Sequence, residues 1–296
     1  MTTQPNTERQ PELTIVLCVH NGAATVTRQL DALERQVWDG SWDVVVVDNG
    51  STDATPRVVA DFAARHPRFR VVGADEKLGL SYARNVGVAN TSARSVAFCD
   101  DDDLVGAGWV AAIGTALRDH ELVASRLDWN LLAEGNGARA GGTFQREGVE
   151  EVFGLPAVAG VSGWHKSLWD ALGGNDETLT LTGEDFDMSM RAFLERGVIP
   201  HFEPEAVYHV ARRGGVGPTF RQARRYGRSA VTLYQRYGKG RADRRAELRQ
   251  SLKVWGWVIR HVFDLRDPNA AVPWARVAGM RIGRLEQSVR SRTLWP

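Results

Sequence analysis

Only two cysteines occur in 296 residues, Cys18 and Cys99, and each sits late in an apolar run. Neither their number nor their spacing fits a disulfide framework or a zinc site, so reduced, buried thiols of a cytosolic protein are expected. No run of about 18 apolar residues is present, which argues against a membrane-spanning helix. The longest candidate, VWGWVIRHVF, is short and broken by charge. The opening stretch, MTTQPNTERQPE, is polar and lacks the apolar core of a secretory leader; residues 1–12 are expected to be flexible. No internal repeat or low-complexity segment is found. No G-x-G-x-x-G follows the first strand-like run, which disfavours a dinucleotide oxidoreductase.

A large net charge is also missing: the balance is +1. Its distribution is uneven, however. Residues 1–210 carry 17 Lys and Arg against 31 Asp and Glu, whereas residues 211–296 carry 20 against 5. An acidic body therefore bears a basic tail. Such a tail either meets an anionic partner or docks on the acidic body. Hydrophobic content of 43% and charged content of 25% are those of a globular chain long enough to bury a real core.

The first hundred residues alternate between two periods. LTIVLCV (Leu13–Val19), WDVVVVD (Trp42–Asp48), FRVVG (Phe69–Gly73) and SVAFCD (Ser95–Asp100) are continuous apolar runs, as buried parallel strands are. Between them, Ala23–Gln36, a segment capped by Ser51 or Thr52 and running to about His66, and LGLSYARNVGVANT have helical character. Strand–helix alternation predicts βαβ units and a mostly parallel α/β sheet flanked by helices. Ligands in such sheets bind beyond the carboxyl ends of the strands. His20, Asn21, Asp48, Asn49 and Asp100–Asp103 all fall there. Residues 120–180 mix short strands with Gly-rich loops such as AEGNGARAGG, and a helix is expected from Glu184. AVYHV (Ala206–Val210) resembles a short strand. Beyond it the pattern is helical, with Leu248, Leu252, Trp255, Ile259 and Val262 on one stripe and a last helix through Trp274, Val277 and Leu285.

FCDDDDL (Phe98–Leu104) carries four adjacent carboxylates, which repel unless something positive meets them. In an extended segment Asp100 and Asp102 would share a face and Asp101 the other. Two carboxylates at a strand end suit Mg²⁺ or Mn²⁺, with a diphosphate completing the shell. The alternative is a solvated turn with Asp103 capping the next helix; the position at a strand's carboxyl end favours the ion. TGEDFDMSMR also has two readings. Thr182 and Asp185 have capping-box spacing, or Asp185 faces a cleft as a base. His209 either satisfies a structural bond or completes a metal shell.

Six segments in order resemble the family 2 glycosyltransferases, which have the GT-A fold. They are LTIVLCVHNG, VVVVDNGSTD, KLGLSYARNVGVAN, VAFCDDDD, SGWHKSLWDALGGNDE and GEDFDMSMR, together spanning about residues 13–210. Two positions depart from the pattern: Lys77 replaces a frequent Asn, and Asn175 replaces the Phe of GGFDE. The resemblance implies a GT-A domain over 13–210 and stops there; residues 211–296 read, from their own charge and periodicity, as a basic, amphipathic helical extension. It implies metal-dependent, inverting transfer of a sugar from a nucleoside-diphosphate donor (UDP or dTDP) to a glycan or lipid-linked acceptor hydroxyl. Residue by residue, it places Val19, His20, Asn21 and Asp48 at the donor's base. Arg84 and Asn85 fall near ribose and diphosphate, with Asp100 and Asp101 at the donor. Asp102 becomes the ligand of Mn²⁺ or Mg²⁺, and Asp185 the general base. Glu184 and Trp164 lie toward acceptor and sugar. Some members add a metal-binding His about two dozen residues after the base, and His209 follows Asp185 by 24.

A sugar nucleotidyltransferase is disfavoured, because VHNGAAT has one Gly and no basic residue. A nucleotide-sugar-binding protein without catalysis is the other alternative, although every expected acid is present. The tail RRGGVGPTFRQARRYGRSAVTLYQRYGKGR interleaves Arg with aromatics, but no nucleic-acid-binding module appears and nucleic acid is not an expected partner. The expectation is a peripheral protein of the inner membrane face, its tail on anionic lipid or a lipid diphosphate, with Trp255, Trp257 and Trp274 near the interface. The competing reading is a helical lid or a homodimer contact.

Overall fold

Four runs of Val, Ile, Leu and Phe build the parallel half of one sheet: β1 (Leu13–Val19), β2 (Trp42–Asp48), β3 (Phe69–Gly73) and β4 (Ser95–Asp100). β1, β4 and residues 44–48 of β2 are almost wholly buried on both faces and therefore run apolar without alternating, whereas β3, at the sheet edge, buries Phe69 and exposes Val71. The computed structural model describes residues 10–129, 132, 145–179, 182–211, 214–293 and 295. The expected flexibility of residues 1–9 and the Gly-rich stretch 133–142 lie outside the described residues. Pro11 and Glu12 are tied to the sheet through Arg94 N–H and Ser41 O.

Helices α1 (Val26–Glu34), α2 (Thr55–Ala63) and α3 (Leu80–Ala89) make the crossovers. Each is shorter than its sequence pattern. Residues 22–25 form a turn in which Gly22 O accepts from Thr25 N and Val26 N, delaying α1. Neither Ser51 nor Thr52 caps α2. Asp53 instead accepts from Thr55 N, because Ser51 and Thr52 are engaged with Asn21.

The chain continues through β5 (Leu104–Val105), α4 (Trp109–Ala116), β6 (Leu122–Asp128) and β7 (Gln145–Glu147). A separate hairpin, β8 (Val149–Val152) with β9 (Leu155–Val158), precedes β10 (Ser162–His165), α5 (Lys166–Ala171), α6 (Glu184–Arg196) and β11 (His201–His209). The main sheet runs β3-β2-β1-β4-β10-β6-β11-β5, with β7 on β6. β1–β4 and the β6–β11 pair are parallel; β10 and β5 join antiparallel. Strand order reverses on either side of β1, so the ends of β1, β2 and β4 open on one crevice. Two apolar layers cover the faces, one around Trp109, Ile113 and Tyr208, the other around Phe98, Trp164 and Trp169. Cys18 and Cys99 are free and buried in them, and burial pushes the Cys18 thiol up to about 12.

The basic tail forms α7 (Val216–Leu233) with a π turn (Tyr234–Gly238), α8 (Arg244–Arg260), a 3₁₀ turn (His261–Arg266) and α9 (Pro268–Arg290). α7 and α9 pack closely enough that Gly283 lies against the Arg224 carbonyl, where any side chain would overlap. Arg224 and Arg228 of α7 are bound by Glu286 of α9. Two of the tail's arginines are therefore answered within the tail itself. α7 also docks on α6. Thr182 Oγ1 meets Ser229 Oγ at 2.6 Å, and the fully buried Asp187 accepts from Arg191, Arg236 and Tyr237.

Candidate active site

Arg84 is the positive charge that answers the acidic run. It stands on the buried face of α3, 3% exposed, over the Phe98 ring. Its Nη1 donates to Glu184 Oε1 at 3.0 Å and its Nη2 to Asp100 Oδ1 at 3.3 Å. One guanidinium thus joins the end of β4 to the start of α6, whose Glu184 lies 100 residues beyond Arg84 in sequence. Burial disfavours its charge, yet Asp100 and Glu184 together hold its pKa above the ordinary arginine value.

The four carboxylates do not alternate as in a strand. β4 ends at Asp100 and the chain turns over Asp101 and Asp102, so each acid faces something different. Asp101 accepts from Thr25 Oγ1 at 3.2 Å; burial, then the Asp102 charge, raises its pKa to about 6. Asp103 does not cap a helix: it is buried and accepts from Ala211 N at 2.6 Å. Burial, then the Asp100 charge, raises it to about 8. Gly108, not Asp103, precedes α4. The turn is gripped from below. Gln29, fully buried on α1, donates to Asp100 O and accepts from Val105 N; Arg28 donates to Asp102 O. Tyr208 of β11 accepts from Asp100 N at 2.8 Å. These holders are far apart in sequence and were not among the residues singled out by motif. For Gln29 the signal was a polar residue inside an otherwise apolar helix stripe. Gln29→Ala would leave a buried carbonyl and a buried N–H unpaired, a loss of about 2–4 kcal/mol. A thermal denaturation midpoint lowered by several degrees is the expected result.

Glu184 and Asp185 open α6, but not by a capping box. Gly183 is the N-cap at φ 92, a left-handed conformation that favours glycine, and Thr182 is turned toward Ser229. Asp185 is thereby left partly exposed, accepting only from Phe186 N among the described side-chain bonds. Burial, then the Glu184 charge, raises its pKa to about 7, with Arg84 opposing. Helix α7 lays Tyr226 near this group. Burial, then the Asp185 and Asp100 charges, raises the Tyr226 phenol.

A cavity of about 10 Å³, room for roughly one water, is bordered by Arg84, Gly160, Trp164, Asn175 and Asp185. Trp164 is 2% exposed and donates to Ser162 Oγ, so it belongs to the core and only borders this cavity. Asn175 is buried with its Nδ2 unpartnered, a donor that a substrate hydroxyl or a water there would satisfy. Asn85 is turned away from the crevice, bonding Asn175 and Glu177.

At the β1–β2 end, Asp48 is buried and accepts from Ser51 N. Val19 O accepts from Asn49 N. Asn21, at φ 52, ties the two loops by accepting from Thr52 N and donating toward His20, whose Nδ1 meets Asn49 O. Asn49, placed by the sequence at the same strand end, accepts from Gly79 N and donates to the Ala74 and Lys77 carbonyls. The loops lining the crevice are thus mutually braced.

Among the described residues no group of three or more His, Cys, Asp or Glu is disposed to hold a metal. The donor chemistry still fits a hard cation shared with a diphosphate, which needs only one or two protein ligands. Asp102 supplies oxygen. His209 pairs with Leu104 in the β5–β11 register, two residues from Asp102, and its Nδ1 meets Asp128 Oδ2 at 2.9 Å. That second bond is the one a metal-binding imidazole uses to fix its ring.

Residues 14–142 match the family described as Glycosyl transferase family 2. The succinoglycan biosynthesis protein ExoO of Rhizobium meliloti is 37% identical over 102 residues, covering 34% of this chain and 28% of that protein. The pre-mycofactocin glycosyltransferase of Mycobacterium tuberculosis is 28% identical over 293 residues, covering 95% of this chain and 59% of that protein. The chain thus spans well under two thirds of these relatives. Among solved structures, the mannosyltransferase PcManGT of Pyrobaculum calidifontis, in complex with GDP-Man and Mn²⁺, aligns with a TM-score of 0.63 at 21% identity, covering 96% of this chain and 88% of that one. S. aureus TarS 1–349 with UDP-GlcNAc aligns at 0.53 and 14% identity, covering 96% and 93%. The fold is that of GT-A enzymes, a mixed, mostly parallel sheet flanked by helices with a helical C-terminal region.

Proposed function

From the match of residues 14–142 to glycosyl transferase family 2 and from the GT-A fold, we propose that the chain transfers a sugar from a nucleoside-diphosphate donor to an acceptor hydroxyl, with inversion. Residues 13–210 form the GT-A unit in this reading and 211–296 an extension. The observation that carries it is Asp185: a partly exposed carboxylate at a helix start, raised to about 7, beside the Arg84–Glu184–Asp100 network. A general base works best with a pKa near the working pH. Asp185 accepts the proton of the acceptor hydroxyl as its oxygen forms the new bond to the anomeric carbon. The bond from that carbon to the diphosphate oxygen breaks on the opposite face, and the electron pair leaves with the diphosphate. Glu184, held by Arg84, stays fixed beside the base and orients the incoming groups. Asp48 receives the donor's base, and Asp100 with Arg84 lies where the diphosphate is expected.

Asp102 and His209 are the residues to hold Mn²⁺ or Mg²⁺, which when bound supplies charge stabilisation to the leaving diphosphate. The binding of GDP-Man with Mn²⁺ by one structural neighbour and of UDP-GlcNAc by another supports a nucleotide-sugar donor. Titration calorimetry with UDP, dTDP and GDP tests this. At least one is expected to bind more tightly with Mn²⁺ than without, and Asp102→Ala to remove the difference. Binding indifferent to Mn²⁺ would reject the metal; no binding by any of the three would reject the donor class.

A further inference from the structure

The basic tail does not act as one unit, and its middle helix is unlike the other two. α7 and α9 pack on each other, and α7 also meets the start of α6. α8 packs through a narrow strip, with Ser251 and Val258 buried and Trp274 Nε1 donating to Val258 O at 2.9 Å. Most of the rest of α8 faces solvent, and part of that surface is an apolar stripe. Leu248, Leu252, Trp255 and Ile259 recur at i, i+4, i+7 and i+11, one stripe of the helix. Leu248 is 48% exposed, Leu252 65% and Ile259 67%, and Trp255 is partly exposed. The 3₁₀ turn continues the stripe with Val262 and Phe263, the latter 83% exposed. Arg245, Arg249, Lys253 and Arg260 share the adjoining flank, by the same spacing, and all four are exposed.

An exposed apolar stripe edged by cations on one side has the form of a helix lying in the plane of a membrane. No helix among the described residues is long and apolar enough to cross one. We infer that α8 and the turn after it form a docking surface for an anionic lipid bilayer. Leu248, Leu252, Ile259 and Phe263 enter the acyl boundary, and Arg245, Arg249, Lys253 and Arg260 meet the headgroup charge. Charge disfavours a symmetric pairing with a second copy of this chain, because two such faces brought together would align like charges. The surface corrects the sequence expectation in two places. Trp274 is held against α8 rather than at an interface, and Trp257 lies on the opposite side of the helix from the stripe, stacked on His261.

The inference stands apart from the glycosyl-transfer reading, since binding to lipid needs no donor. The test is co-sedimentation of the full chain with vesicles of phosphatidylcholine and phosphatidylglycerol, and with phosphatidylcholine alone, at low and high salt. The expected result is binding to the anionic vesicles that weakens with salt, each surface cation contributing about fivefold. Leu252→Glu with Phe263→Glu is expected to lower it at least tenfold, and Arg249→Glu with Lys253→Glu comparably. All four sites are exposed, so the variants should keep the parent's melting temperature, and nucleotide binding should be unchanged. No binding to anionic vesicles would overturn the inference, as would binding that both double variants retain. So would a wild-type dimer in solution that Leu252→Glu with Phe263→Glu dissociates without any lipid binding, which would assign the face to self-association.

Discussion

Arg84→Ala is expected to destabilise the protein by about 3–5 kcal/mol, because it strands two carboxylates that the fold holds against one guanidinium. Glu184 is 5% exposed and pairs with no other cation among the described residues. Asp100 is more open and its share of the loss is screened by solvent. In a chain of this size the change corresponds to a fall in melting temperature of roughly 10 °C. The same substitution frees the start of α6 from the end of β4, so nucleotide binding should weaken with it. Arg84→Lys restores the charge but not the fork: an ammonium cannot hold Glu184 and Asp100 at once in the arginine's geometry. It should recover less than half of the lost stability. A melting temperature within 2–3 °C of the parent for Arg84→Ala, on the order of 1 kcal/mol, would mean that the network is not the support described.

Asp185→Asn has the opposite signature. A carboxylate raised to about 7 is one whose charged form the fold disfavours. Between its ordinary value, near 4, and 7 the folded state binds the proton more firmly than the unfolded chain, so stability falls as pH rises across that window. The penalty is absent below about pH 4 and complete above pH 7. Asparagine removes it, and the variant should be more stable at pH 7.5 by on the order of 1–2 kcal/mol once partial solvation is allowed for. Transfer should fall by about 10²–10⁴, the usual worth of a general base, while nucleotide binding persists. Loss of activity with gain of stability distinguishes a reacting group from a structural one.

The parallel half of the sheet was legible in the sequence because its central strands are buried on both faces. Leu13–Val19, Val44–Asp48 and Ser95–Asp100 have almost no solvent face to blur the pattern, and Phe69–Gly73, half exposed at the sheet edge, was still marked by its β-branched residues. Helix ends were less legible, since a cap depends on where a side chain is drawn by distant partners. Ser51, Thr52 and Thr182 each had a cap's chemistry and each was turned toward another loop or helix. The acidic run was legible as a site and not as a geometry. Alternation assumes an extended chain, and the backbone turns after Asp100. The groups that organise it, Arg84, Gln29 and Tyr208, act across 16 to 108 residues, distances at which spacing carries no information. The tail offered two readings, docking on the body or facing an anionic partner, and the fold divides them: α7 and α9 pack inward while α8 projects.

The base assignment of Asp185 is the centre of this account, and its most direct test is the pH dependence of kcat/KM for sugar transfer, using the donor whose nucleotide binds in calorimetry. The rate should fall tenfold per unit below an apparent pKa near 7, level off above it, and lose that limb in Asp185→Asn. A profile flat from pH 5.5 to 8.5, or a limb that survives in Asp185→Asn, would contradict it.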